Sequence, residues 1–168
     1  METLFILMLI FFFGYVGLIT ALYGLQPSVS ESVYRLPVKW RFVFTLATFG
    51  YAICAMAIGL HLTGNGLVFL AGAAIGFVGA APMFHDDTPN DRVIPLEKVV
   101  HLVGATIGIV TLHIFLWMSG AWYLAIGFAV LTVLAGIVDR CRLVLWLEIL
   151  AMISLSVFYE MNLKVLFN

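Results

Sequence analysis

The chain has 168 residues, 64% of them hydrophobic and 10% charged, with a net charge of −1 and a mean hydropathy of +1.14. Soluble domains carry about 25% charged residues, and a particle this small has too little interior to hide so much apolar surface. Composition therefore excludes an ordinary soluble fold and a nucleic-acid footprint, and makes the lipid bilayer the expected solvent and partner.

Continuous, non-alternating apolar runs of about 20 residues have the length of a membrane-crossing helix. Only helices and closed barrels satisfy their backbone in lipid. The expected fold class is all-α, a single-domain integral membrane bundle of six transmembrane helices over residues 1–168. The expected spans are Thr3–Leu25, Arg41–Leu62, Gly66–Phe84, Leu96–Met118, Ala121–Val138 and Leu143–Phe167. Short linkers make successive helices antiparallel neighbours. Such a bundle is thin, which favours a homo-oligomer.

The first span begins Met1-Glu2-Thr3, with no basic residue ahead of it, and is expected to be a retained helix rather than a cleaved signal. Pro27 then stops it. Ser28-x-x-Glu31 is a capping-box pattern, in which each side chain satisfies a free amide at a helix start. A short interfacial helix is expected there, with Pro37 suited to the first turn of the next span. Cys54 falls mid-span and reads as packing, whereas Cys141 falls in a polar turn.

The third span carries Gly72, Gly76 and Gly79, and Gly72-x-x-x-Gly76 is a small-residue spacing that lets helix backbones approach closely. Pro82 cannot donate to the carbonyl of Val78 and is expected to leave it for water, a side chain or a ligand. In the fourth span His101, Gly104, Ala105 and Gly108 share one face, which turns His101 into the bundle. Lys and Arg set the orientation. Arg35, Lys39, Arg41, Arg92, Lys98, Arg140 and Arg142 lie at the first, third and fifth linkers, against Lys164 alone on the other side. Those linkers are expected in the cytoplasm, with both termini outside.

Ser28, Ser30, Glu31, His85, Asp86, Asp87, His101 and Glu148 all fall at this same end and form the candidate polar cluster. Glu148 stands about 8 Å into the last span at 1.5 Å per residue. An ionisable group at that depth marks a functional site by default, although pairing with Arg140, Arg142 or His101 to lock the bundle is the simpler account. Histidine titrates near neutral pH, so His101 suits proton transfer. Asp86 and Asp87 at a helix C-terminus oppose its dipole. Ser28 and Glu31 read first as a cap, and Ser30 is a nucleophile only with a base beside it.

His85, Asp86, Asp87, His101 and Glu148 are the candidate metal ligands, brought together only by folding, because no H-E-x-x-H spacing occurs. That arrangement resembles ceramidase-like and receptor-like membrane hydrolases, which place Ser, Asp and three His at one membrane face but have seven spans and a paired-His motif. His61 with His113, and His85 with His101, are the bis-histidine pairs that a superficial resemblance to six-span b-type cytochromes offers. No cofactor is specified.

Ser28-x-Ser30-Glu31-x-x-Tyr34, the run Phe77 to Phe84, His101-x-x-Gly104-Ala105 and Trp146-x-Glu148 together resemble small six-span bacterial inner-membrane proteins. The resemblance implies a location and no activity. The leading expectation is a small transporter or channel-like protein, with Glu148 and His101 binding or relaying a proton or cation. A membrane-embedded metal-dependent hydrolase acting on lipid, and a structural or partner-binding protein, are the alternatives.

Overall fold

The computed structural model describes residues 1–84 and 96–167, and six helical segments among them carry the fold. We label them α1 (Glu2–Tyr23), α2 (Phe42–Thr63), α3 (Leu67–Ala80), α4 (Leu96–Met118), α5 (Trp122–Val138) and α6 (Leu143–Phe167). Short 3₁₀ turns at Glu31–Arg35, Val38–Trp40, Ala81–Phe84 and Arg140–Arg142 sit in the linkers.

The all-α bundle is present, but among the described residues four apolar helices, not six, are long enough to cross a membrane: α1, α2, α4 and α6, the second and last with their leading 3₁₀ turns. Helices α3 and α5 have 14 and 17 residues. At 1.5 Å per residue they measure about 21 and 26 Å, short of a hydrocarbon core of about 30 Å. The apolar run of the third segment is longer than its helix because Pro82 tightens the last turn to 3₁₀. In that turn the amide of Ala81 bonds the carbonyl of Val78, so this carbonyl is not left open as expected. The fifth segment ends at Asp139, whose backbone is no longer helical (φ −140°, ψ 64°). The likeness to six-span proteins therefore fails on span number.

Contacts fix the directions. Phe12 meets Tyr51 and Tyr15 meets Phe44, each at 5.4 Å between ring centroids, so α1 and α2 are antiparallel. Gly72 lies against Met56 and Gly79 against Thr48, which makes α2 and α3 antiparallel. A Cβ on Gly104 would stand 3.0 Å from the Ala74 carbonyl oxygen, and one on Gly108 3.5 Å from the Ala74 side chain; α3 and α4 pack backbone to backbone. Across the bundle Tyr51 donates to the Met152 carbonyl at 3.4 Å and Tyr159 to the Ala55 carbonyl at 2.6 Å, which sets α2 parallel to α6. Helices α2, α4 and α6 thus all start at one end.

The core is aromatic and aliphatic: Tyr51, Tyr159, Phe44, Phe115 and Ile58 are fully buried. Leu46, Ile53, Val103, Val133 and Leu134 are exposed on the outside, as a lipid-facing surface requires. Gly64 closes α2 with a left-handed φ of 63° that a side chain would strain. A π turn at Ile10–Gly14 divides α1 into Glu2–Leu9 and Tyr15–Tyr23. The wider turn resets the helix register just ahead of Tyr15, whose hydroxyl reaches Ser32 at 2.8 Å.

Candidate functional site

The segment between α1 and α2 does not lie along the surface. Ser28, Val29, Ser30, Ser32, Val33 and Leu36 are buried, so the segment plugs the end of the bundle. The expected interfacial helix is instead the 3₁₀ turn Glu31–Arg35, with Ser32 and Val33 buried and Glu31 and Arg35 exposed. Apolar side chains drive it in, and the exposed amides of so short a turn need acceptors. Ser28 Oγ takes the Glu31 amide at 2.9 Å, the serine half of the capping pattern. Ser32 donates to the Val29 carbonyl. Gln26 Nε2 donates to the carbonyls of Tyr23 and Gly24, and its Oε1 accepts from Arg35 at 3.2 Å. The Leu145 amide donates to the Pro27 carbonyl at 3.1 Å, tying the segment to α6.

Glu148, one turn farther along α6, accepts the Val29 amide on Oε2 and the Ser30 hydroxyl on Oε1, both at 2.6 Å. From α4, His101 Nε2 lies 3.2 Å from Ser30 Oγ, and Ser28 Oγ lies 3.1 Å away. A serine hydroxyl has one proton and two acceptor sites. With its proton on Glu148, Ser30 accepts from Ser28 and from a protonated Nε2 of His101. Every capacity of Ser30 is then used, and two charged-type groups from different helices meet through one hydroxyl.

Two spaces flank this chain. A cleft of about 550 Å³ opens at the polar end, lined by Ser30, Glu31, Tyr34 and Arg35 from the plug, Pro82 beyond α3, and Glu97, Lys98 and His101 from α4. Its size suits a small ligand. A second, apolar cavity of about 50 Å³ is lined by Ser30 and Glu148 together with Phe12, Phe44, Leu112 and Met152 among others. At the α5–α6 corner Arg142 pairs with Asp139 at 3.1 Å and Trp146 Nε1 donates to the same carboxylate at 3.3 Å. The Arg142 hydrogen bond chiefly holds the Asp139 carboxyl below its ordinary range.

Of the sequence candidates, the structure brings Ser28, Ser30, His101 and Glu148 together, and places Glu31 on the cleft wall. His85, Asp86 and Asp87 lie outside the described residues. Among the described residues no three His, Cys, Asp or Glu side chains gather as a metal centre requires. His113 is turned to its own helix, with Nδ1 2.6 Å from the Ile109 carbonyl. Sequence reasoning missed Gln26, Tyr15, Ser32 and the Val29 amide. The alternation Ser28, Ser30, Ser32 was the available signal, since alternate residues on one buried side need partners there.

The glycines Gly72, Gly79, Gly104 and Gly108 all face a neighbouring helix of the same chain, and Gly76 stands against Phe49. The chain is an all-α, multi-pass membrane protein, and it matches no protein-family model, no curated protein and no solved structure.

Proposed function

We propose that the protein is a small proton-linked transporter-like protein of a plasma membrane, in which Glu148, Ser30 and His101 relay a proton between the cleft and the bundle interior. The hydrogen-bonded chain Glu148–Ser30–His101 carries this reading. Its protons have two complete arrangements. In one, His101 as the imidazolium donates from Nε2 to Ser30, and Ser30 donates to the Glu148 carboxylate. In the other, the Glu148 acid donates to Ser30 and Ser30 to a bare Nε2. Two concerted shifts through one hydroxyl exchange them, and Ser28 donates to Ser30 in both. No buried group loses a partner, so the exchange avoids the cost of an unsatisfied polar atom. The polar end carries Arg35, Lys39, Arg41, Lys98, Arg140 and Arg142, which supports a cytoplasmic cleft with both termini on the other side of the membrane.

The test is proton flux into proteoliposomes holding a pH-sensitive dye. Glu148→Gln cannot release a proton, so flux is expected to fall to the level of empty liposomes. Flux equal to wild type across the pH range would sink the assignment.

A second reading rests on the Val29 amide. By accepting it, Glu148 caps the plug, so its role is structural. Glu148→Gln then lowers thermal stability while any flux survives.

A further inference from the structure

A proton-linked transporter couples its proton to a cargo, and the cleft is where His101 would meet one. We propose that the cleft takes an amphipathic anion, a carboxylate or phosphate head on an apolar tail, and that the bound head draws the relay proton from Glu148 to His101. The proposal rests on the relay reading above.

Ser30 and His101 line the cleft of about 550 Å³, so one end of the relay faces whatever it holds. Arg35 and Lys98 line it too. Arg35 donates to the neutral Gln26 side chain at 3.2 Å, and among the described residues neither it nor Lys98 pairs with a carboxylate. Two acids share the wall, Glu31 and Glu97. Glu97 already has a partner, so Glu31 alone stands against two cations. The rest of the lining is carbon. Phe44, Val78 and Pro82 belong to it, and Leu102 carries it out to the lipid-facing surface, where that side chain is 62% exposed. Cationic donors beside an apolar wall match a ligand with an anionic head and an apolar tail.

The coupling follows from the two proton arrangements. Nδ1 of His101 carries a proton in both and takes no part in the relay. The ring is charged only when the relay proton sits on Nε2, with Glu148 then a carboxylate. Glu148 from α6 and Glu31 from the plug favour that charge, whereas Arg35 and Lys98 in an empty cleft oppose it. An anionic head neutralises the two cations and sets an opposite charge beside the imidazolium, which reverses the balance. One proton then passes from Glu148 to Ser30 while the Ser30 proton passes to His101, and no other bond is made or broken. Linkage is reciprocal: the factor by which the anion shifts the proton to His101 is the factor by which that proton raises affinity for the anion.

The experiment titrates octanoate, isotope-labelled at its carboxyl carbon, into the protein held in phosphatidylcholine nanodiscs, with empty nanodiscs as background. The octanoate carbon resonance reads binding. Infrared difference spectra read the protonated Glu148 carboxyl, assigned by its loss in Glu148→Gln. The expected result is saturable binding, at least tenfold weaker when Arg35→Gln and Lys98→Gln are combined, and a carboxyl band that fades as the site fills. His101→Gln is expected to bind octanoate with the band unmoved. Lys164→Gln, at the opposite end of the bundle and paired with Glu160 at 2.7 Å, is expected to bind as wild type does. If the double variant does not fold, Lys98→Gln alone decides, at an exposed position. Adding phosphatidylglycerol to the nanodiscs separates the sources: displaced octanoate assigns the cleft to a lipid head, and undisturbed octanoate to a free anion. No saturable binding, wild-type binding in the cation variants, or an unmoved band in the wild type overturns the proposal. Proton flux without octanoate is read separately. Flux that needs Glu148 leaves the relay standing even where octanoate does not bind, and flux that does not need it overturns the relay whatever octanoate does.

Discussion

Ser30→Ala removes one oxygen at the point where three groups meet. The bond to Glu148, 2.6 Å long, is made to an ionisable partner, and hydrogen bonds of that kind are worth about 1.5–3 kcal/mol. The contacts to Ser28 and His101, at 3.1 and 3.2 Å, are long for their type. Ser28 also keeps the Glu31 amide, so these two together add at most about 1 kcal/mol. The expected loss is about 2–4 kcal/mol, or about 4–15 °C in midpoint for a chain of this length. Thermal unfolding in detergent by near-ultraviolet circular dichroism reads the midpoint. Hydrogen exchange of the peptide covering residues 26–36 reads the plug, whose Val29 amide is expected to lose protection. Ser154→Ala is the reference. Its hydroxyl is also buried but bonds back to the Leu150 carbonyl of its own helix at 2.9 Å, so its removal costs under about 1 kcal/mol. Equal midpoints for the two variants, with unchanged exchange of the plug, would refute the account of Ser30 as the hub.

Gly104→Ala sets a methyl 3.0 Å from the Ala74 carbonyl oxygen and 3.3 Å from the Val78 amide nitrogen, both backbone. Overpacking of this sort costs about 1–3 kcal/mol. Gly127→Ala meets open space on α5 and is expected to stabilise by up to about 1 kcal/mol through helix propensity; the reverse order in thermal unfolding would contradict the backbone-to-backbone seam. Asp139, held down mainly by Arg142, contributes stability that is present above its unfolded value and is lost as pH falls through the lower folded one. Its side-chain carbon resonance in detergent is expected to titrate with a midpoint below 3.8. A midpoint at or above that value would remove the Arg142 pairing from solution.

Much of this architecture was legible without coordinates. Hydropathy alone demanded helices in lipid, and Gly64, Gly120 and Asp139 punctuate the chain where helices end, whereas α1 stops at Tyr23, with Gly24 at a positive φ of 75°, ahead of the Pro27 expected to end it. Span number was not legible. A window of apolar residues does not register that Pro82 cuts α3 to 14 residues, because helix length depends on backbone hydrogen bonding and hydropathy does not. The fate of the Val78 carbonyl turned on the same detail.

The sequence by itself determined the solvent, the helical class, the end at which polar residues gather and the isolation of Glu148 within an apolar helix. These follow from composition and period, which are local. Only the tertiary structure decided that Ser30, seventy-one residues from His101 and 118 from Glu148, joins them. It also decided that the linker holding Ser30 is buried, and that the hydroxyls of Tyr51 and Tyr159 tie α2 to α6 through backbone carbonyls. Each depends on which helix faces pack and in which register, and close packing settles that over the whole bundle at once.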